Sequence, residues 1–152
     1  MDVKLVNPFI HSVSHVMKTI GFSEVKTGAM NAKGKEITCS GVVLVVGIVG
    51  DLQGNIVYVI DEENAKQIAS KLMMGMPIEE LDTMAASSLS ELSNMLSAHA
   101  ATGLTKIGYA IDISPPNLMI GSNMRIMMRS NKVLNIQFFV DAIPIELNIA
   151  IN

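Results

Sequence analysis

The chain has no tryptophan, four phenylalanines, two tyrosines and a single cysteine in 152 residues. One thiol cannot close an internal disulfide, so the expected compartment is a reducing one, the cytoplasm. Charge is also scarce. Asp, Glu, Lys and Arg make up 16% of the chain and the net charge is −3, which gives phosphates no long-range attraction and argues against nucleic-acid partners. Arg125, Arg129 and Lys132 are too few to form a basic patch. No stretch approaches the ~20 apolar residues of a membrane-spanning helix. The longest run, Val42 to Val49, is strand-sized and stops at Gly50-Asp51. Met1-Asp2-Val3-Lys4 does not have the layout of a signal peptide. What the chain does have is apolar residues, at 49%, a balance that excludes intrinsic disorder. Its length suits one domain, residues 1–152.

Hydrophobic spacing divides the chain into helices and strands. Phe9, Ile10, Val13, Val16, Met17 and Ile20 recur at helical intervals behind Asn7, a candidate cap, and Pro8, suited to a first helical position; Gly21 ends the pattern. The β-branched run Val42–Val49 reads as a strand, with Gly50–Asn55 as a hairpin turn into Ile56–Ile60. Asp61 caps a helix to about Met74, which Gly75 and Pro77 break. A longer helix runs from Glu79 or Thr83 to Gly103. Short strands follow at Tyr109–Ile113 and Met124–Met128. Val133–Val140 and Ile145–Ile151 close the chain, joined by Asp141–Pro144. A faint repeat is visible: Ile20-Gly21-Phe22 and Ile107-Gly108-Tyr109 lie 87 residues apart (107 − 20), each after a helix and before extended segments. The pattern predicts an α/β (α+β) fold.

The long helix carries the one constellation with chemical content. At about 100° per residue, Ala85, Leu89, Leu92, Leu96, Ala100 and Gly103 form a narrow stripe, the face to be buried. Opposite lie Ser87, Glu91, Asn94 and Ala98. Glu91 and Asn94, three residues apart, project as neighbours. Around them stand Ser90, Ser93, Ser97 and Ala101, all small, where an ordinary exposed helix would carry Lys and Arg. Taken alone, such a pair is an ordinary solvated surface pair. With its small neighbours it is also a low ridge that another protein can approach closely.

Ser87-x-x-x-Glu91-x-x-Asn94, with Pro115-Pro116 about twenty residues on, resembles the signature of the CheC/CheX/FliY family of chemotaxis phosphatases. Glu91 through Leu104 and the opening Val6-Asn7-Pro8-Phe9 are similar too, most of all to the CheX branch. The proline falls one or two residues short of the usual distance, so either Pro115 or Pro116 corresponds to the family's residue. The resemblance implies a pseudo-two-fold domain with a mixed, mostly antiparallel sheet packed against helices, and so gives the repeat a reason. At the same offset Glu91 maps to Lys4, which reverses the charge, and Asn94 to Asn7, so one working site per chain is expected.

The implied function is hydrolysis of the aspartyl phosphate of a CheY-like response regulator. Asn94 would orient the attacking water and Glu91 would anchor the regulator's lysine. Ser87, Ala98, Pro115 and Pro116 would support the contact. No cofactor or metal of its own is implied, because Mg²⁺ is expected on the regulator. The resemblance also implies a homodimer, and the last segment, Glu146–Ile151, would invite pairing if it formed a sheet edge. The rival reading is a non-catalytic module that binds a regulator or flagellar-switch protein.

Other residues have plainer readings. His11 and His15, at i and i+4, lack a third metal ligand and read as surface or interface histidines. His99 falls near the buried side of the long helix, in a hydrogen-bonded packing role. Cys39 has no activating base and reads as a buried or idle thiol. Gly50–Gly54 precedes a strand, where a phosphate loop should open a helix. Twelve methionines are mostly core fillers, with Met73, Met74 and Met76 available as an adaptable contact surface.

Overall fold

A computed structural model describes residues 2–152. Helix α1 spans Val3–Thr19, and Asp2 caps it by accepting the Lys4 N–H at 3.0 Å. The helix therefore begins before Asn7, and Pro8 lies inside it, contrary to the capping role expected of this pair. Burial explains the earlier start. Val6 belongs to the core at 5% exposure, and only a helical first turn places it on the same face as Phe9 and Val13. The missing Pro8 N–H leaves the Lys4 carbonyl without its helical donor, at an exposed residue where water meets it. The Pro8 ring faces α3 (Thr83–Lys106) at Gly103, where an added Cβ would come within 3.0 Å of Pro8 Cβ.

Seven strands form one sheet: β1 Val25–Lys33, β2 Glu36–Gly50, β3 Gly54–Ile60, β4 Ile111–Ile113, β5 Asn117–Met127, β6 Val133–Val140 and β7 Ile143–Ile151. Every pairing is antiparallel. Helix α2, Glu62–Leu72, follows β3 behind its Asp61 cap, as expected. The order is β1-β6-β7-β3-β2, and the outer edge of β2 is shared by β4 and β5. Read inward from its ends, β5-β2-β3 meets β1-β6-β7 at the central β3–β7 pair. The two halves therefore exchange by a two-fold rotation, with α1 and α3 as the matching helices.

The Ile-Gly-aromatic repeat is the shared helix terminator. Gly21 and Gly108 take φ of +115° and +102°. The following Phe22 and Tyr109 donate back to Met17 and Leu104 at 3.1 and 3.0 Å, closing the same left-handed cap twice. That second cap carries α3 three residues past Gly103, to Lys106.

Along β3, side chains alternate between two cores. Ile56, Tyr58 and Ile60 point toward the helices, with Phe9, Met17, Leu89, Leu92, Leu96 and Leu104. Each such leucine contributes roughly 2 kcal/mol of burial. Val57 faces the other way and packs with Ile37, Cys39, Val43 and Ala150. Burial pushes the Cys39 thiol up from its ordinary value, which leaves it unreactive.

Several strand limits differ from those read in the sequence. β1 lies in what reads as a polar stretch, because as an edge strand pairing only β6 it is exposed at most positions. β5 starts at Asn117, where its first residues pair with β2. The last turn contracts to Asp141-Ala142, both with positive φ, and β7 takes in Ile143 and Pro144. β7 is no edge: it pairs with β3 on one side and β6 on the other. Pairing of a second copy onto Glu146–Ile151 is thereby excluded.

Candidate functional site

Helix α3 presents its leucines to the sheet and leaves Ser87, Glu91 and Ala98 exposed, with Asn94 half-buried. Asp82 starts it by accepting the Ala85 N–H at 2.9 Å. Ser93 and Ser97, expected on the exposed ridge, are instead buried at 1% each. They lie at the margin of the packed stripe, and each hydroxyl finds a hydrogen-bond partner, Ser93 within the helix and Ser97 on the sheet. Ser93 donates to the Ser90 carbonyl, and Ser97 meets the buried Tyr58 hydroxyl at 3.2 Å. The Ser12 hydroxyl donates across from α1 to the Leu96 carbonyl. These bonds hold α3 rigidly beneath the Glu91–Asn94 pair.

An open groove of about 690 Å³ runs along this face. One wall is α3, through Thr83, Ala86, Ser87, Ser90, Glu91 and Asn94; the other is Ile113, at the end of β4, with Pro115 and Pro116 from the β4–β5 connection. Ser114 anchors that second wall. Its N–H donates to the Gly47 carbonyl at 2.9 Å, and its hydroxyl accepts the Gly47 N–H at 2.8 Å. Two consecutive prolines stiffen the segment beyond it. The structure thus brings Ser87, Glu91, Asn94, Pro115 and Pro116 together, whereas Ala98, one turn further along α3, lies outside the groove.

Sequence reasoning missed Thr83, Ala86 and Ile113 as lining residues. Ala86 had a readable signal, since Ala86, Ser90 and Asn94 recur at i, i+4 and i+8. Ile113 had none, because its place depends on β4 pairing with β2. Glu91 is the one charged side chain among the described lining residues. Among the described residues neither it nor Asn94 has a side-chain hydrogen bond or ion pair, so both are free to meet a ligand. No group of three or more His, Cys, Asp or Glu is placed to hold a metal among those residues, and none of their helices is long and apolar enough to cross a membrane.

The pseudo-symmetric positions Lys4 and Asn7 lie in a second groove of about 470 Å³ with Pro8, His11, His99 and Lys106. His99 stacks on His15 with ring centroids 4.6 Å apart. The expected hydrogen bond to His99 is absent among the described residues: its Nδ1 is buried without a partner. Burial, and then the charges of His15, Lys106 and His11, hold the imidazole below its ordinary 6.5. Because the folded state binds this proton less tightly than the unfolded chain, stability is complete above about pH 6.5. It is lost as the pH falls through the lower folded value. The melting temperature should therefore drop between pH 7 and pH 5, and less so in His99→Gln. Parallel pH profiles for the two proteins would refute this.

Comparison with known proteins identifies the family and the fold. The family model for chemotaxis phosphatase CheX matches residues 42–139. A Thermotoga maritima protein described as CheY-P phosphatase CheX is 32% identical, covering 83% of this chain and 81% of its own. A CheC-like superfamily protein from Shewanella sp. PV-4 superposes with a TM-score of 0.88 at 27% identity, over 100% of this chain and 99% of its own. A chain of the CheX–CheY–BeF3–Mg²⁺ complex from Borrelia burgdorferi gives 0.82 at 30% identity, with 97% of each chain covered. The Glu91–Asn94 ridge, the pseudo-two-fold sheet beneath it and these matches lead to one conclusion: this chain belongs to the CheX family of chemotaxis phosphatases.

Proposed function

We propose that this chain is a phosphatase for the aspartyl phosphate of a CheY-like response regulator, acting through one site on its single domain. The observation that carries the reading is Glu91 and Asn94 standing unpartnered on adjacent turns, beside a proline wall. An acyl phosphate is already activated, so its hydrolysis needs an aligned water and compensated charge more than a new nucleophile. Asn94 supplies a donor and an acceptor to hold that water in line and brings no charge to repel the phosphoryl group. The water oxygen attacks phosphorus as the bond to the aspartyl oxygen breaks, giving the free carboxylate and inorganic phosphate. Glu91 pairs with the regulator's lysine once the interface has excluded water. Mg²⁺ belongs to the regulator. Ser87 and the prolines shape the approach, and Ala98 leaves it sterically open.

The T. maritima relative, described as a CheY-P phosphatase, and the B. burgdorferi complex support this reading. The decisive experiment follows decay of a phosphorylated CheY-type regulator with and without substoichiometric amounts of this protein. Many turnovers per molecule are expected. Binding without accelerated decay would leave only the rival, a non-catalytic module.

Family likeness further supports a homodimer. The free edges open to it would be β1, which pairs only β6, and β4 and β5, which pair only β2, and not the interior C-terminal strand. Multi-angle scattering should give twice the 16.3 kDa chain mass. A monomer mass at micromolar concentration would overturn the proposal.

A further inference from the structure

Helix α3 begins with an exposed methionine that the proposed chemistry leaves unused. Met84 is 65% exposed and precedes Glu91 by seven residues, two turns, which places it on the same face about 10.5 Å away. Every other member of that stripe is small or polar: Ser87, Glu91, Asn94 and Ala98. Beside Met84 a hollow of about 370 Å³ is lined by Met76, Glu79, Glu80 and Asp82, and Met76 is itself 54% exposed. The hollow adjoins the catalytic groove, since Asp82 and Met84 flank Thr83, which lines that groove. Its loop is held in place. The Ser70 hydroxyl donates to the Met76 carbonyl at 2.7 Å, and Gly75 N donates to the Ser70 carbonyl at 2.8 Å.

We infer that Met84 and Met76, rimmed by Glu79, Glu80 and Asp82, form the docking anchor for the phosphorylated regulator. This inference rests on the phosphatase reading and names the surface that selects the partner. Size decides the matter. A protein presenting its phosphoryl group at Asn94 buries about 800 Å² on this side, a patch roughly 16 Å in radius, while Met84 lies about 15 Å from Asn94 along the helix. A patch of that size centred on Asn94 reaches Met84. Methionine is enriched in such interfaces, and its flexible side chain adapts to an apolar seat. A loop already held in place loses little entropy when it binds. Charge specifies the partner further. Next to its phosphorylated pocket the regulator must offer an apolar seat bordered by Lys or Arg, to meet the three carboxylates.

The test is multiple-turnover dephosphorylation of a CheY-type regulator charged with acetyl phosphate. Met84→Lys and the neutral Met84→Gln should each raise KM about tenfold, the scale of a hot spot, with kcat within twofold, whereas Met84→Leu should stay near wild type. Glu79→Lys combined with Glu80→Lys should also raise KM, by an amount that shrinks as salt is added. Met84 is exposed, so each variant should keep the wild-type melting temperature. An unchanged KM in Met84→Lys and Met84→Gln, alongside an Asn94→Ala protein that has lost kcat, would overturn the docking anchor and leave the phosphatase reading standing. Absence of turnover in the wild type would overturn both.

Discussion

Asn94→Ala is expected to lower turnover of the phosphorylated regulator by at least ~100-fold while leaving binding within a few-fold of wild type. The size follows from what is removed. A carboxamide that fixes the attacking water contributes through alignment, and losing such alignment costs on the order of 10² in rate. Binding should survive because Asn94 is half-buried, whereas Glu91, which is exposed, is the group proposed to make the ionic contact with the partner's lysine. Glu91→Ala should therefore behave differently, raising KM as well as lowering kcat. Neither substitution removes an internal bond among the described residues, so both variants should melt like wild type. Measuring KM and kcat separately for the two proteins tests the division of labour. Undiminished turnover by Asn94→Ala would end the catalytic assignment.

Gly54→Val should destabilise the fold by about 3 kcal/mol, a value at the upper end for overpacking, and lower the melting temperature by roughly 6–12 °C. Gly54 opens β3 opposite Ile151 of β7, on the seam that relates the two halves. An added Cβ would overlap the Ala150 carbonyl oxygen and stand 2.8 Å from its carbon and 3.0 Å from Ile151 Cα. These neighbours are backbone in an interior strand, so no side chain can swing aside to make room. β7 must shift, and with it the core contacts of Leu147 and Ile149. Thermal melts of the two proteins at one pH measure the loss. A variant melting within 2 °C of wild type would show that the seam is more yielding than its packing implies.

Local periodicity was enough to find the helices, the Asp61 cap, the β2–β3 hairpin and the face on which Glu91 and Asn94 stand together. Those features depend on residues a few positions apart, which the chain writes directly. The same argument failed where burial by distant segments decided the outcome. Asn7-Pro8 looks like a helix start, yet burial of Val6 draws the helix back to Asp2. Ser93 and Ser97 look like surface residues, yet the sheet below, with Tyr58, takes them in. β1 carries no alternation because most positions on both of its faces meet solvent, and nothing in its composition marks it as a partner of β6.

The candidate site divides along the same line. Sequence alone determined its chemistry: a carboxylate and a carboxamide one turn apart among small residues, a pairing that helical geometry makes neighbours in any context. Tertiary structure alone decided its shape. The Pro115–Pro116 wall stands opposite Asn94 because Ser114 bonds to Gly47, a residue that lies sixty-seven positions earlier and meets it only once β4 has joined the edge of β2. Helical spacing acts over a turn or two, whereas a groove between two elements exists only after the sheet has chosen its partners.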